Sequence, residues 1–409
     1  MIQKVNLKNK RIEDYRSFIS ASNYSEINRL FSRLKDKKII HINSTSEGGG
    51  VAQILNSLVP LFNSGGLQAS WYKIDAEKNF FEITKKIHHF FQGERVSFSK
   101  KEKNLYLKVN KEIARDLKKE EFDLLMVHDP QPMGQIRFYK KEEPTILRFH
   151  LDSSQYEGSF FDPFIERYDH LIYSDKKHVI DGFDGNVFAP AIDPLSDTNK
   201  QLKKSKKIIK SLGIDIKKPI ISQVSRFDLF KNPSGVVDIY EKAKKVIPDL
   251  QLILFGIGGA EDDPEAEEVF KKVRRKAKGE ERVHLFFYPE SIKEIEANEK
   301  EIVNSIQRES DVILQNSYRE AFGLTVTEAM WKGKPVIGST GVGIKKQITN
   351  GENGFIIKSS DEGASKVVAL IKDKDLSKRM GKRAKKRVKE DYLLTRLLKD
   401  HLTFYSGII

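Results

Sequence analysis

A chain of 409 residues, 39% apolar and 32% charged, is longer than one ordinary hydrophobic core requires, so two or three globular domains are expected. With no cysteine it has no disulfide, no thiolate nucleophile and no Cys-ligated metal. Its 72 Lys and Arg against 58 Asp and Glu leave a net charge of +14, which raises a polyanion as a partner, and no apolar run reaches the roughly eighteen residues of a membrane span.

In chain order, the stretch ahead of Lys35 reads as a helical preamble without the apolar core of a secretion signal, which makes the cytoplasm the expected location. Ile39 to Ile42 reads as a buried strand. The loop Asn43 to Gly50 follows, then a helix with apolar residues at Val51, Ile54, Leu55, Leu58, Val59 and Phe62. Gly65 and Gly66 end it. Further strands are predicted at Ala69 to Ile74, Leu124 to Val127, Thr145 to Phe149 and His170 to Tyr173. Ala189 to Ser196 has two prolines and no periodicity and reads as a linker. Beyond it strands are predicted at Ile220 to Val224, Leu252 to Phe255, His284 to Phe287, Val312 to Gln315 and Pro335 to Gly338, with helices between. This alternation predicts an α/β chain of two Rossmann-like parallel-sheet domains facing across a cleft, residues 1–192 and 193–389, with a last helix at about 390–409 packing back on the first. The basic clusters Lys203 to Lys210, Lys271 to Lys278 and Lys378 to Lys389 interleave with apolar residues and read as solvated helix faces, a polyanion site being the alternative.

Open α/β sheets bind ligands beyond the carboxyl ends of their strands, so the loops that follow strands carry the chemistry. Asn43 to Gly50 is glycine-rich and opens a helix whose first N–H groups suit an anion. It lacks both the P-loop lysine and the dinucleotide spacing, and a ligand-free turn is the alternative. Ser225 to Lys231 brings Arg226 and Lys231 to a strand end, where two cations suit a diphosphate; the alternative is a surface pair with carboxylate partners. Glu320 lies in a loop and Glu328 a turn or two into the next helix, with Gly323 between them and Thr325 or Thr327 available as a cap. Two carboxylates flanking a turn accept hydrogen bonds from sugar hydroxyls; in the bland reading Glu328 is a surface helix residue. His128 and Asp129, and then His150 and Asp152, end strands of the first half, where a lone histidine is more often a satisfied structural residue. His41, inside a strand, reads as structural, and His88 sits on a helix within reach of the expected cleft. No strand-end loop carries an Asp-x-Asp pair or metal-ligand spacing, so Arg226 and Lys231 stand where a divalent cation would otherwise stabilise a leaving group.

Glu320-x7-Glu328, with Ser225-Arg-Phe-Asp and Lys231 upstream and the triple-glycine loop after the first strand, resembles the retaining GT-B glycosyltransferases of family 4. The runs His41 to Ala52, Val127 to Pro132, Ala191 to Ser196 and Glu328 to Gly338, and Phe80 to Lys85 with His88 and Gln92-Gly93, are similar within it to the archaeal trehalose glycosyltransferring synthases, over residues 38–395. That resemblance implies a reversible transfer of glucose from UDP-, ADP- or GDP-glucose to a sugar acceptor, free glucose, with retention and with no metal or other cofactor required. It implies no nucleic acid partner, and a homodimer is one assembly open to it. Arg226 and Lys231 would hold the diphosphate, Glu320 the donor-sugar hydroxyls and Glu328 the ribose. Backbone N–H groups of Gly323, Leu324 and Thr325 would touch sugar and phosphates, and Gly49 and Gly50 would let the first loop close over them. His150 and Asp152 would line the reacting face, with Ser44, His88 and Asp129 on the acceptor side. The run Ser153 to Phe161 and the residues Leu229, Phe230 and Asn232 depart from the family pattern, so the donor machinery is better matched than the acceptor side. A related transferase or phosphorylase with another acceptor (a sugar phosphate, glycerate or phosphate) is the alternative, and a non-catalytic polyanion-binding protein a remote one.

Overall fold

The computed structural model describes residues 1–409 except 48, 140, 141, 159, 258–263, 290, 291, 293 and 294; the side chains of 257, 264 and 265 are also left out. The chain falls into two compact units, Met1–Ala191 with Leu394–Ile409, and Ile192–Leu393. No described helix is long and apolar enough to cross a membrane.

In chain order the first unit contains β1 (Ile2–Lys4), α1 (Ala21–Arg33), β2 (Lys38–Asn43), α2 (Gly49–Ser64), β3 (Gln68–Ile74), α3 (Lys78–Phe91), α4 (Lys100–Leu117), β4 (Leu124–His128), β5 (Thr145–Arg148), α5 (Asp162–Ile165), β6 (His170–Tyr173) and β7 (Asn186–Val187). Among the described residues its sheet runs β1-β3-β2-β4-β5-β6-β7, parallel except that β1 pairs antiparallel with β3. The expected helical preamble is therefore part strand: Ile2–Lys4 completes the open edge of β3, and only Ala21–Arg33 forms an α-helix. β4 is buried at every position, as a strand covered on both faces must be. A Ser99–Glu102 capping box starts α4 by satisfying two of its free N–H groups reciprocally. The last helix of the chain, Leu394–Tyr405, belongs to this unit, where His401 packs against Phe62 and Phe188.

The second unit contains α6 (Ser205–Ser211), β8 (Ile220–Val224), α7 (Pro233–Ala243), β9 (Gln251–Ile257), α8 (Pro264–Lys276), β10 (Val283–Tyr288), α9 (Glu299–Glu309), β11 (Val312–Gln315), α10 (Leu324–Trp331), β12 (Val336–Gly338), α11 (Val342–Gln347), β13 (Gly354–Ile356), α12 (Ser360–Lys372) and α13 (Lys374–Asp391); Leu394–Tyr405 is α14. Its sheet is parallel, in the order β10-β9-β8-β11-β12-β13. The basic clusters lie on α6, α8 and α13, where Ile208, Ile209, Val273, Ala384 and Val388 are buried and the cations turn outward.

Strand order reverses between β2 and β4 in the first sheet and between β8 and β11 in the second. At such a switch point the two neighbouring crossovers leave to opposite faces and open a crevice at the carboxyl ends. The loops after β2 and β4, and those after β8 and β11, are therefore the ones that topology makes available to ligands.

Candidate active site

In the second unit the switch point is built by glutamines. Gln223, one residue before the end of β8, donates to the Lys231 carbonyl at 2.8 Å and accepts from the Asn316 N–H at 2.8 Å, tying the two loops together. Asp228 caps the short turn Leu229–Lys231 by accepting from the Lys231 N–H at 2.9 Å. Lys231 Nζ then reaches Glu320 Oε2 at 2.7 Å, with side chains only 18% and 12% exposed. Gln315, at the end of β11, donates toward Glu320 Oε2 at 3.4 Å and accepts from Thr325 Oγ1 at 3.0 Å, so one amide orients both. Ser317 Oγ adds a third donor to Glu320 at 3.3 Å.

The start of α10 differs from expectation. Neither Thr325 nor Thr327 caps it: the N-cap is Gly323, at φ +85°, with no side-chain cap. Thr327 Oγ1 is drawn inward to Gln347. A left-handed φ next to Glu320, where a Cβ would stand 3.0 Å from Glu320 Cγ, needs glycine for both backbone and space. The uncapped helix start leaves N–H groups of the Gly323–Thr325 turn for an anion. Glu328 is no surface residue. It is buried, accepts from Gln307 Nε2 at 3.2 Å, and lies beside half-buried Lys332, whose Nζ donates to Gln307 Oε1, Asn199 Oδ1 and the Glu328 carbonyl. Desolvation lowers the Lys332 pKa, against the pull of Glu328. Arg226 is 63% exposed and pairs with Asp228 at 3.1 Å. Exposed Leu229, Phe230 and Tyr318 give the same loops an apolar rim.

In the first unit the chemistry is histidine-rich, with Arg148 as a buried cation beside neutral rings. His41 Nδ1 lies 3.1 Å from His128 Nε2, and His128 Nδ1 lies 2.9 Å from His150 Nε2. Burial pushes the His41 pKa down to about 3 and those of His128 and His150 well below the ordinary value, with the Arg148 guanidinium adding to each. Arg148, buried, donates to His401 Nε2. Asp129 adopts φ +63° and accepts the His150 N–H at 2.7 Å. Burial lifts its carboxyl up to about 7, opposed by that hydrogen bond and by Arg148. Asp152 turns back on its own loop, accepting from the Ser154 N–H and Oγ at 3.1 and 2.7 Å. Gly49, at φ +75° with open space where a Cβ would stand, and Gly50 form the first turn of α2; the first glycine of the triplet lies outside the described residues. Ser44 is half-buried just after β2, and His88 half-buried in the last turn of α3.

The structure thus joins Lys231 to Glu320, Glu320 to the Gly323–Thr325 turn, and Asp129 to His150. Glu328 is directed to Gln307 and Lys332 rather than toward Glu320. Gln223, Gln315, Gln307 and Lys332 were missed because a glutamine at a strand end or a lysine on a helix carries no motif; glutamines closing two buried strands were the available signal.

Residues 41–180 match the family described as trehalose synthase, N-terminal domain, and residues 204–387 match glycosyl transferases group 1. The chain is 42% identical to a trehalose synthase of Pyrococcus horikoshii over 98% of its own length and 97% of that relative. The chain belongs to the trehalose synthase family. Within it, a trehalose synthase of Rubrobacter xylanophilus is 36% identical over the whole of both chains. A trehalose phosphorylase of Grifola frondosa is 26% identical over 93% of this chain and 58% of its own. The solved structure of the trehalose-6-phosphate synthase OtsA matches with a TM-score of 0.70 at 12% identity, covering 91% of this chain and all of that one. Sucrose-phosphate synthase from Thermosynechococcus elongatus matches with 0.67 at 15% identity, covering 91% and 98%. These likenesses make this family member a GT-B glycosyltransferase in fold.

Proposed function

We propose that this chain makes trehalose by moving a glucosyl group from a nucleoside diphosphate glucose to free glucose, with retention at the anomeric carbon and without a required metal. The observation that carries the reading is the Lys231–Glu320 pair at 2.7 Å beside the uncapped start of α10, in a chain 42% identical to a trehalose synthase. Lys231 and the more exposed Arg226 offset charge on the diphosphate, and N–H groups of Gly323, Leu324 and Thr325 extend that field. Glu320 accepts from hydroxyls of the donor sugar, and Glu328 serves the ribose. From the first unit the reading takes Gly49 and Gly50 for the phosphates, His150 and Asp152 for the reacting face, and Ser44, His88 and Asp129 for the acceptor. The acceptor hydroxyl oxygen bonds to the anomeric carbon as the carbon–phosphate-oxygen bond breaks on the same face. The leaving phosphate oxygen takes the proton, so no protein nucleophile is needed.

A screen of UDP-, ADP- and GDP-glucose against glucose, glucose 6-phosphate, glycerate, phosphate and no acceptor tests it, with EDTA in a parallel set. Trehalose with free glucose and any one donor, undiminished by EDTA, is expected. Nucleotide release with another acceptor alone replaces the acceptor, and activity that EDTA abolishes and Mg²⁺ restores overturns the metal-free reading.

A further inference from the structure

His41, His128 and His150 form one continuous chain of rings on β2, at the end of β4 and just after β5, with centroids 5.4 and 5.2 Å apart along it. All three are neutral near pH 7, because burial and Arg148 oppose a charge on each. A neutral imidazole carries one N–H and one lone pair. Both hydrogen bonds of the chain are then made in only two ways. Either every ring is protonated at Nδ1 and donates toward His150, or every ring is protonated at Nε2 and donates toward His41. Any mixture sets two lone pairs or two N–H groups against each other.

The far end decides between them. His41 Nε2 is buried and has no hydrogen-bond partner among the described residues. In the second arrangement that atom is an orphaned buried N–H, the rarer and costlier defect; in the first it is a bare lone pair. The first arrangement leaves the proton of His150 on Nδ1, which makes no hydrogen bond among the described residues, on a ring half-buried and held by the Asp129–His150 backbone bond at 2.7 Å.

We infer that His128, and His41 through it, are positioning residues that lock His150 in the Nδ1–H tautomer, so that it meets its substrate as a neutral hydrogen-bond donor to a sugar oxygen and not as a base. This rests on the proposed place of His150 at the reacting face. It also runs against the ordinary preference of neutral imidazole for the Nε2–H form, so the tautomer is a readout that simple packing does not set.

The test is long-range ¹H–¹⁵N correlation NMR of the full chain with ¹⁵N-labelled histidine, free of substrate, joined to steady-state kinetics. A protonated Nδ1 and bare Nε2 on His150 are expected in the wild type. In His128→Phe, His150 reverts to Nε2–H and kcat falls by roughly tenfold or more while the donor KM stays within about twofold. His128→Asn, whose amide N–H replaces the Nδ1 donor, restores both the tautomer and most of kcat. An Nε2–H on His150 in the wild type overturns the inference without any variant having to fold. So does a His128→Asn chain no more active than His128→Phe with the tautomer restored. A wild-type chain that makes no trehalose fails the transfer reading instead, because the tautomer is read on the free protein.

Discussion

The two switch points of this chain are built from opposite materials. After β8 and β11 a largely shielded ion pair, Lys231 to Glu320, is held by amides of Gln223, Gln315 and Asn316. After β2, β4 and β5 the side chains are neutral rings stacked into the core, with one carboxyl whose proton burial retains. A site that meets a diphosphate needs fixed charge, and fixed charge needs partners in the free protein to stay in one place. A site that meets sugar hydroxyls needs directed neutral donors and acceptors, which can be desolvated without the cost of burying an ion. The contrast explains why the exposed Arg226 and the shielded Lys231 are unequal: solvent screens the first and not the second.

The largest effect should come from Lys231→Ala. It removes the charge and strands the Glu320 carboxylate, and kcat/KM should drop by about a hundredfold or more, read by nucleotide release. A near-wild-type rate would break the assignment of the charged site. Arg226→Ala should cost about tenfold or less, because its charge is largely screened; a loss equal to that of Lys231→Ala would mean that the two cations act as one clamp. Gly323→Ala forces a left-handed backbone onto a Cβ that meets Glu320, and on the order of 1–2 kcal/mol of stability should be lost in denaturant melts. The same change at Gly49, where space is open, should cost only the backbone part, so equal losses would show that the Glu320 contact is irrelevant.

The smallest effect sharpens the neutral side. Folded Asp129 keeps its proton up to about pH 7, whereas an unfolded aspartate releases it near 3.8. Between those values the folded chain binds more protons, so this contribution is full below the unfolded value and lost as pH climbs through about 7. Asp129→Asn keeps an acceptor for the His150 N–H and does not titrate. Its Tm relative to wild type should therefore rise across that window and level off above it. A pH-independent difference would mean that Asp129 is ionised in the folded chain.

Much of the architecture was legible in the residues. The parallel strands at Ile220–Val224 and Val312–Gln315 stand where apolar runs predicted them, because strands covered on both faces are dominated by apolar residues. Arg226, Lys231 and Glu320 were legible because charge after a buried strand is unusual. The histidines at 41 and 128 were read singly as structural; they are buried, and they also form one line with His150. Nothing in a one-dimensional pattern marks residues that are 87 and 22 positions apart as neighbours.

By itself the sequence determined the α/β class, the strands and the loops that follow them, and the family, since those depend on local periodicity and on motifs short enough to read along the chain. Only the tertiary structure decided that Ile2–Lys4 closes a sheet edge, that Gly323 rather than a threonine starts α10, that Glu328 faces inward to Gln307 and Lys332, and that three histidine rings stand within hydrogen-bond distance in one line. Each of these is set by which strands lie side by side and how much water they exclude, and both depend on contacts between residues far apart in the chain.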